Sequence, residues 1–412
     1  MSSRREFLKQ VGGTLVAAAP VTATASQPQG GPAPTYDLLI KGGRVIDAGQ
    51  KLSAVRDVAI TGAAVARVDQ DIPRAQARQV IDAGGQVVTP GWIDMHVHVF
   101  DGVGIASIDA DGAGVQRGVT TVVDGGSSGA TTFPGFRKHI IERAQTNVYA
   151  LLNISMIGFV VTTESYIDPK LIDPDAAIRV INANKDRILG IKVRIDGRDE
   201  TAEKDVEILR RGRVASDATG VPILMHWARD PRLISMLKAG DVITHPFNPP
   251  RAGPDLFGPD GNIMSQFLEL PRRGIATDFS HGGHLLWATA EKAAKLGWYP
   301  DIISTDLHRA HIAPGGNVID LATTMAKFMY LGLSLEQVVE RVTVRPVQAL
   351  KFGGAKIGSL AAGSVADVTI CRVVDRPVQL FDSTKDPRTG RQAIEVVSTI
   401  RGGKVVAASA AS

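Results

Sequence analysis

Gly91-Trp92-Ile93-Asp94-Met95-His96-Val97-His98 is the stretch on which the reading of this chain turns. The run over 91–97 is short, mostly apolar and entered through Thr89-Pro90-Gly91, which predicts a buried strand. Alternate side chains of a strand leave the same face, so His96 and His98 are aimed together past its carboxyl end. Neutral imidazoles are good zinc ligands, and two at this spacing can share one ion. The alternative is two strand histidines buried without a task, and the rest of the chain decides between them.

Downstream, short apolar runs alternate with helical stretches such as 202–213 and 285–296, the signature of βα units. Strands are expected at 120–124, 149–155, 189–195, 222–227, 241–246, 275–279 and 301–305, each ending in polar or titratable residues. With the first they make eight, the number that closes a (β/α)8 TIM barrel with its active site at the carboxyl ends of the strands. This α/β domain is assigned to residues 91–352. On either side the texture is all-β. A hairpin is expected around Gly42-Gly43 within 36–47, with strands at 57–60, 64–68 and 79–82, and again near 358–370, 396–400 and 403–406. Neither flank is large enough to bury itself. Residues 36–90 and 353–412 are therefore expected to pair into one small β-sandwich built from both chain ends.

The composition agrees. At 412 residues, 44% hydrophobic and 21% charged, the chain has material for a barrel plus a smaller module. A net charge of only +4, with no Lys/Arg tract, argues against a nucleic-acid partner. The single cysteine, Cys371, excludes an intrachain disulfide and a cysteine zinc cluster. Ser3-Arg4-Arg5-Glu6-Phe7-Leu8-Lys9 resembles a twin-arginine export motif, and a weakly apolar stretch ending in the small-x-small Ala23-Thr24-Ala25 follows it. Residues 1–25 are read as a twin-arginine signal peptide and 26–35 as a linker. The twin-arginine machinery would then deliver the folded protein to the periplasm or beyond; a chance arginine pair in an irregular N-terminus is the alternative. The stretch is too short and too rich in Gly, Ala and Thr for a membrane anchor, and no later run reaches about 18 apolar residues. A homo-oligomer is allowed by everything read here.

Four more residues share the carboxyl ends of the expected strands. Lys192 lies within the apolar fourth strand, where a lysine is costly unless paired or neutral. A neutral amine there could take up carbon dioxide as a carbamate able to bridge two metals; an ordinary lysine paired with a carboxylate is the alternative. His226 ends the fifth strand, His245 the sixth and Asp306 the eighth. Arg194, two beyond Lys192, leaves the same strand face and suits a substrate carboxylate, or else a salt bridge to Asp196. His281, after the seventh strand, is read as an oxyanion donor or substrate contact, with a supporting role close behind. His284, His308 and His311 are read as loop or supporting residues, and His139 as lying on an outer helix.

Asp94-Met95-His96-Val97-His98, Lys192, His226, His245 and Asp306, in this order, resemble the dihydroorotase-like, lysine-carbamate branch of the amidohydrolase superfamily. The phrases at 41–47 and 361–367 are similar to that superfamily's flanking β segments, so the likeness covers nearly all of 36–406. It implies two divalent metal ions, usually zinc. One would be held by His96, His98 and Asp306, the other by His226 and His245, with carbamylated Lys192 between them. The implied chemistry is hydrolysis by a metal-bridging hydroxide, Asp306 carrying its proton to the leaving group. Authentic dihydroorotases carry arginine where this chain has Phe100. Cysteine-ligated deacylases place their cysteine far from Cys371, and hydantoinases have a tyrosine near Ser155-Met156-Ile157-Gly158. The phrases at 190–194, 278–283 and 323–328 are closer to the amidohydrolase/deacetylase group, whose members remove acetyl from α-acyloxy acids such as acetyl-(R)-mandelate. The expected function is deacetylation of a carboxylate-bearing α-acyloxy or N-acyl acid. A cyclic-amide hydrolase of the dihydroorotase or hydantoinase type is the enzymatic alternative, and a non-catalytic binding protein on the same barrel the other.

Overall fold

The structure is a computed structural model describing residues 34–160, 168–195, 202–227, 230–248, 256–312 and 316–408. The twin-arginine stretch and nearly all of the expected linker lie outside the described residues. Two sheets organise the rest. The N-terminal flank gives β1 (Tyr36–Asp47), β2 (Leu52–Thr61), β3 (Ala64–Asp69), β4 (Ala77–Asp82) and β5 (Val87–Pro90). There follow β6 (Trp92–Val97), β7 (Val119–Asp124), β8 (Asn147–Asn153), β9 (Ile188–Val193), β10 (Ile223–His226), β11 (Val242–Thr244) and β12 (Ala276–Asp278). The C-terminal flank contributes β13 (Val368–Phe381), β14 (Pro387–Arg401) and β15 (Lys404–Ala408).

β6 to β12 pair in chain order, all parallel, into one seven-stranded sheet with helices such as Pro174–Ala183, Ala202–Thr219 and Trp287–Lys295 between its strands. The sequence is apolar on both strand faces because both are covered. Along β10, Ile223 and Met225 pack into the cluster shared with the helices. Leu224 joins Met95, Val123, Leu151 and Val242 in a second cluster. His226, two beyond Leu224, continues that second face to the strand's end.

The eighth expected strand, 301–305, is not a strand. It makes only isolated parallel bridges, Asp278↔Ile302 on one side and Val97↔Leu307 on the other. Its backbone nonetheless joins the two sheet edges. Phe279 N–H donates to the Ile302 carbonyl (2.9 Å) and Asp306 N–H to that of His96 (2.7 Å). A regular ladder fails because the chain turns left-handed at Asp306 (φ 49°). The same cause ends β11 at Thr244, two residues early, since His245 has φ 67°.

The flanks do pair with each other. Their sheet runs β15-β14-β13-β5-β1-β2-β3, with β4 also on β1, and the antiparallel β13–β5 ladder (Thr369↔Thr89) joins the two chain ends. It is one connected mixed sheet of eight strands, on whose face Leu38, Ile40, Val45, Val58, Val368 and Ile370 cluster. The expected hairpin at Gly42-Gly43 is instead a bulge inside a continuous β1, absorbed by Gly42 at φ 74°. Among the described residues no helix is long and apolar enough to cross a membrane.

Candidate metal centre

The carboxyl ends of the parallel strands gather six titratable side chains into two clusters. His96, His98 and Asp306 form one, each offering a ligand atom within 4.8 Å of the others. His226, His245 and His284 form the second on the same criterion. Asp306 reaches both: its Oδ1 is 3.2 Å from His98 Nε2 and its Oδ2 3.8 Å from His284 Nε2. The His96 and His245 rings, with centroids 5.3 Å apart, link the clusters on the other side. Lys192 Nζ lies 3.0 Å from His96 Nε2 and is buried. All six residues expected to hold metal are therefore brought together.

Partners behind the imidazoles fix which nitrogen faces the centre. His96 Nδ1 meets Ser280 Oγ (2.7 Å) and Asp278 Oδ2 (3.2 Å), and His98 Nδ1 meets Ser127 Oγ (2.8 Å). His245 Nδ1 faces the Ser280 carbonyl at 2.8 Å, so it carries the proton and Nε2 keeps its lone pair. His284 Nδ1 sits 2.8 Å from Asn248 Oδ1. Burial then keeps the lone pairs available. It pushes His226 and His245 well below the ordinary imidazole value, His284 down to about 3, and the Lys192 amine down to about 7. Burial would raise the Asp306 carboxyl, but the His98 hydrogen bond and neighbouring imidazoles hold it well below the usual carboxylate range. Nitrogen lone pairs held neutral around one buried carboxylate are the donor set a zinc-like divalent ion takes.

Backbone strain collects here. His245, Ser280 (φ 46°) and Asp306 are non-glycine residues in the left-handed region, the first two just beyond a strand end and the third just past the segment 301–305. Close approach also demands glycine at two points. A Cβ on Gly282 would sit 2.1 Å from Asp306 Oδ2, and one on Gly126 2.7 Å from Lys192 Cβ.

His284 is the residue that sequence reading placed outside the ligand set. The turn Ser280-His281-Gly282 explains the exchange: strand alternation stops at Asp278, and the left-handed Ser280 and Gly282 swing His281 away and His284 in. The substrate-contact reading of His281 is thereby corrected. Its side chain is fully buried, with Nε2 against Lys327 Nζ and Nδ1 3.0 Å from the Gly282 carbonyl. Arg194 lies within electrostatic reach of the centre. Its charge adds to the depression of the Lys192, His226 and His284 pKa values, and its guanidinium lies 5.2 Å from the Phe159 ring centre. That ring in turn lies 5.5 Å from the His98 ring. Asp196, the alternative partner of Arg194, lies outside the described residues. Phe100 is buried against Phe136, 4.9 Å between rings, and Cys371 is buried in β13.

Parallel strands that lead two such clusters to one end describe a metal-dependent hydrolase. The amidohydrolase family matches residues 87–406, and the chain belongs to that family. It is similar to a deacetylase of Brucella anthropi, 32% identical over 383 residues that span 91% of this chain and 89% of the relative. A deacetylase of Agrobacterium fabrum is 33% identical over 352 residues, 84% and 85% of the two chains. Among solved structures, an adenine deaminase superposes with a TM-score of 0.81 at 29% identity, covering 90% of this chain and 99% of the other. A dihydroorotase follows at 0.78 and 30% identity, with the same coverage.

Proposed function

We propose that the chain removes an acetyl or similar small acyl group from a carboxylate-bearing acid at a two-ion centre on a closed (β/α)8 barrel, 301–307 acting as the eighth stave. The observation that carries the reading is the position of the Asp306 carboxylate, within 4 Å of an imidazole of each cluster. His96, His98 and Asp306 would hold one divalent ion, and His226 and His245, joined by His284, the other, with zinc the natural occupant of such donors. Lys192, as a carbamate, would lie between them. Ions so held supply a Lewis acid for the acyl carbonyl and acidify a water enough for it to ionise near neutral pH.

The chain's own groups do the rest. Arg194, propped on Phe159, grips the substrate carboxylate and orients the acyl carbonyl towards the two clusters. Asp306, ionised at neutral pH, takes the attacking water's proton on a carboxylate oxygen and returns it to the departing alkoxide or amine. The deacetylase relatives support acyl removal, and the dihydroorotase structure keeps a cyclic amide as the second substrate class to compare.

Zinc-loaded protein is expected to bind two ions per chain and to release acetate from 2-acetoxy acids faster than it opens dihydroorotate. Turnover confined to the cyclic amide would sink the reading. Arg194→Met should raise KM for the acetoxy acid about 10- to 100-fold with a smaller change in kcat, as for a lost charge-assisted hydrogen bond. The Arg4-Arg5 motif further supports export of the folded enzyme. Replacing both arginines by lysine should leave the protein in the cytoplasmic fraction, and unchanged fractionation would argue against twin-arginine export.

A further inference from the structure

Lys327, on the helix Leu321–Tyr330, is 1% exposed, and among the described residues it makes no ion pair. Its Nζ instead meets three acceptors: the Asn317 carbonyl (2.7 Å), the Phe381 carbonyl at the end of β13 (2.6 Å), and His281 Nε2. With His281 Nε2 accepting, an ammonium, which has three N–H donors and no lone pair, satisfies all three, whereas a neutral amine falls one donor short. His281 must then carry its proton on Nδ1, which faces the Gly282 carbonyl at 3.0 Å. The same carbonyl receives Asn317 Nδ2 at 2.9 Å. Gly282 is the residue whose Cα lies against Asp306, and its N–H donates to the Thr305 carbonyl (2.8 Å).

The loop is also held from its other side by the turn between β13 and β14. Ser383 exchanges two hydrogen bonds with Leu285: its N–H donates to the Leu285 carbonyl (2.9 Å), and its Oγ accepts from Leu285 N–H (2.8 Å). Asp382 Oδ2 accepts from Trp287 N–H at 3.2 Å. The segment 281–287, which carries His284 and backs Asp306, is therefore tied at both ends to the long hairpin of the flanking sheet. Two phrases of the sequence, 278–283 and 323–328, meet at the contact between His281 and Lys327.

We propose that Lys327 is a positioning residue: tied to the end of β13, it fixes the His281 tautomer and, through Gly282, sets Asp306 and His284, so that the flanking sheet braces the metal centre. Burial pushes the Lys327 amine down to about 7, and the nearby charges of Asp382 and Asp320 oppose that. The inference rests on the reading of His284 and Asp306 as ion-holding groups.

The test is a zinc titration of metal-free protein against a chromophoric chelator, read beside kcat, KM and amide exchange over 280–287. Lys327→Met should weaken the looser of the two ions about 10- to 100-fold, as loss of a supporting shell does, with faster exchange in the loop. It should lower kcat by a similar factor while KM moves less than about twofold. His281→Leu should match it, and the double variant should be no worse than either single one. His281→Gln, which keeps an acceptor for Lys327 and a donor for Gly282, should recover most of the loss. Should Lys327→Met not fold, Ser383→Ala tests the same brace from the hairpin and should also weaken ion binding and speed exchange. A Lys327→Met protein, or failing that Ser383→Ala, that melts earlier but keeps wild-type ion affinity and loop exchange would overturn the proposal. Wild-type protein that binds no zinc would instead refute the metal-centre reading itself.

Discussion

Asp306→Asn is expected to lower kcat about 10³-fold with little change in KM, roughly 4 kcal/mol of lost transition-state stabilisation. Among the described residues the carboxylate is the one anion paired with both histidine clusters, and it stays ionised despite burial through the His98 hydrogen bond and the surrounding imidazoles. Asparagine keeps the shape and one acceptor oxygen but cannot take a proton. Because Asp306 is also placed to hold an ion with His96 and His98, activity alone would not separate the two roles. Ion content does so: a variant that still binds two ions and has lost its rate has lost the proton carrier. A variant that binds one has lost a ligand. The group's pKa lies below the ordinary carboxylate range, so it stays ionised through neutral pH. An acid limb of activity between about pH 5 and 8 should therefore not come from Asp306. Near-wild-type kcat in Asp306→Asn would remove the residue from the chemistry altogether.

Much of this centre could be read from the chain because strand alternation is a strict rule. His96, Lys192 and His226 lie within strands, and His98, Arg194 and Asp306 stand one or a few residues past an apolar run that names its own face. The rule stops where the backbone leaves the extended region. Past Asp278 the left-handed Ser280 and Gly282 decide whether His281 or His284 faces the centre, and no periodicity reports a positive φ at a serine. The segment 301–305 read as a strand because it is apolar and ends in a titratable residue. Its pairing with the two neighbouring edges is reduced to isolated bridges, which pattern cannot distinguish from a ladder. The pairing of the two flanks followed from neither being able to bury itself, but their order in one sheet rests on contacts such as Thr369 with Thr89, nearly the whole chain apart. Lys327 was invisible as a brace for the same reason: all three of its acceptors come from other segments of the chain.

Removing the lysine amine next to the first cluster should cost as much as removing the carboxylate. Lys192→Ala is expected to lose about 10³-fold in kcat and to regain part of it when a short carboxylic acid is added. The reasoning begins with burial: Lys192 is 3% exposed, lies 3.0 Å from His96 Nε2, and has its amine pushed down to about 7. An ammonium against an imidazole nitrogen and two metal ions would be repelled. A neutral amine that adds carbon dioxide becomes an anion instead, forming an N–C bond and releasing one proton. Only the neutral amine reacts, so its available fraction is about half near pH 7 and roughly a tenth a unit lower. At a fixed concentration of dissolved carbon dioxide, activation of metal-free protein by zinc should therefore speed up as the pH rises through 7 and slow below about 6. The three-histidine cluster bears on the same test, because His226, His245 and His284 offer the second ion three nitrogens without any help from Lys192. Should those nitrogens suffice, zinc reconstitution in carbon-dioxide-free buffer would give full activity, and Lys192→Ala would need no added acid. Either result would make Lys192 an ordinary amine beside the centre. Strict dependence on bicarbonate, with rescue of the alanine variant by a short acid, would make it the anion between the two ions.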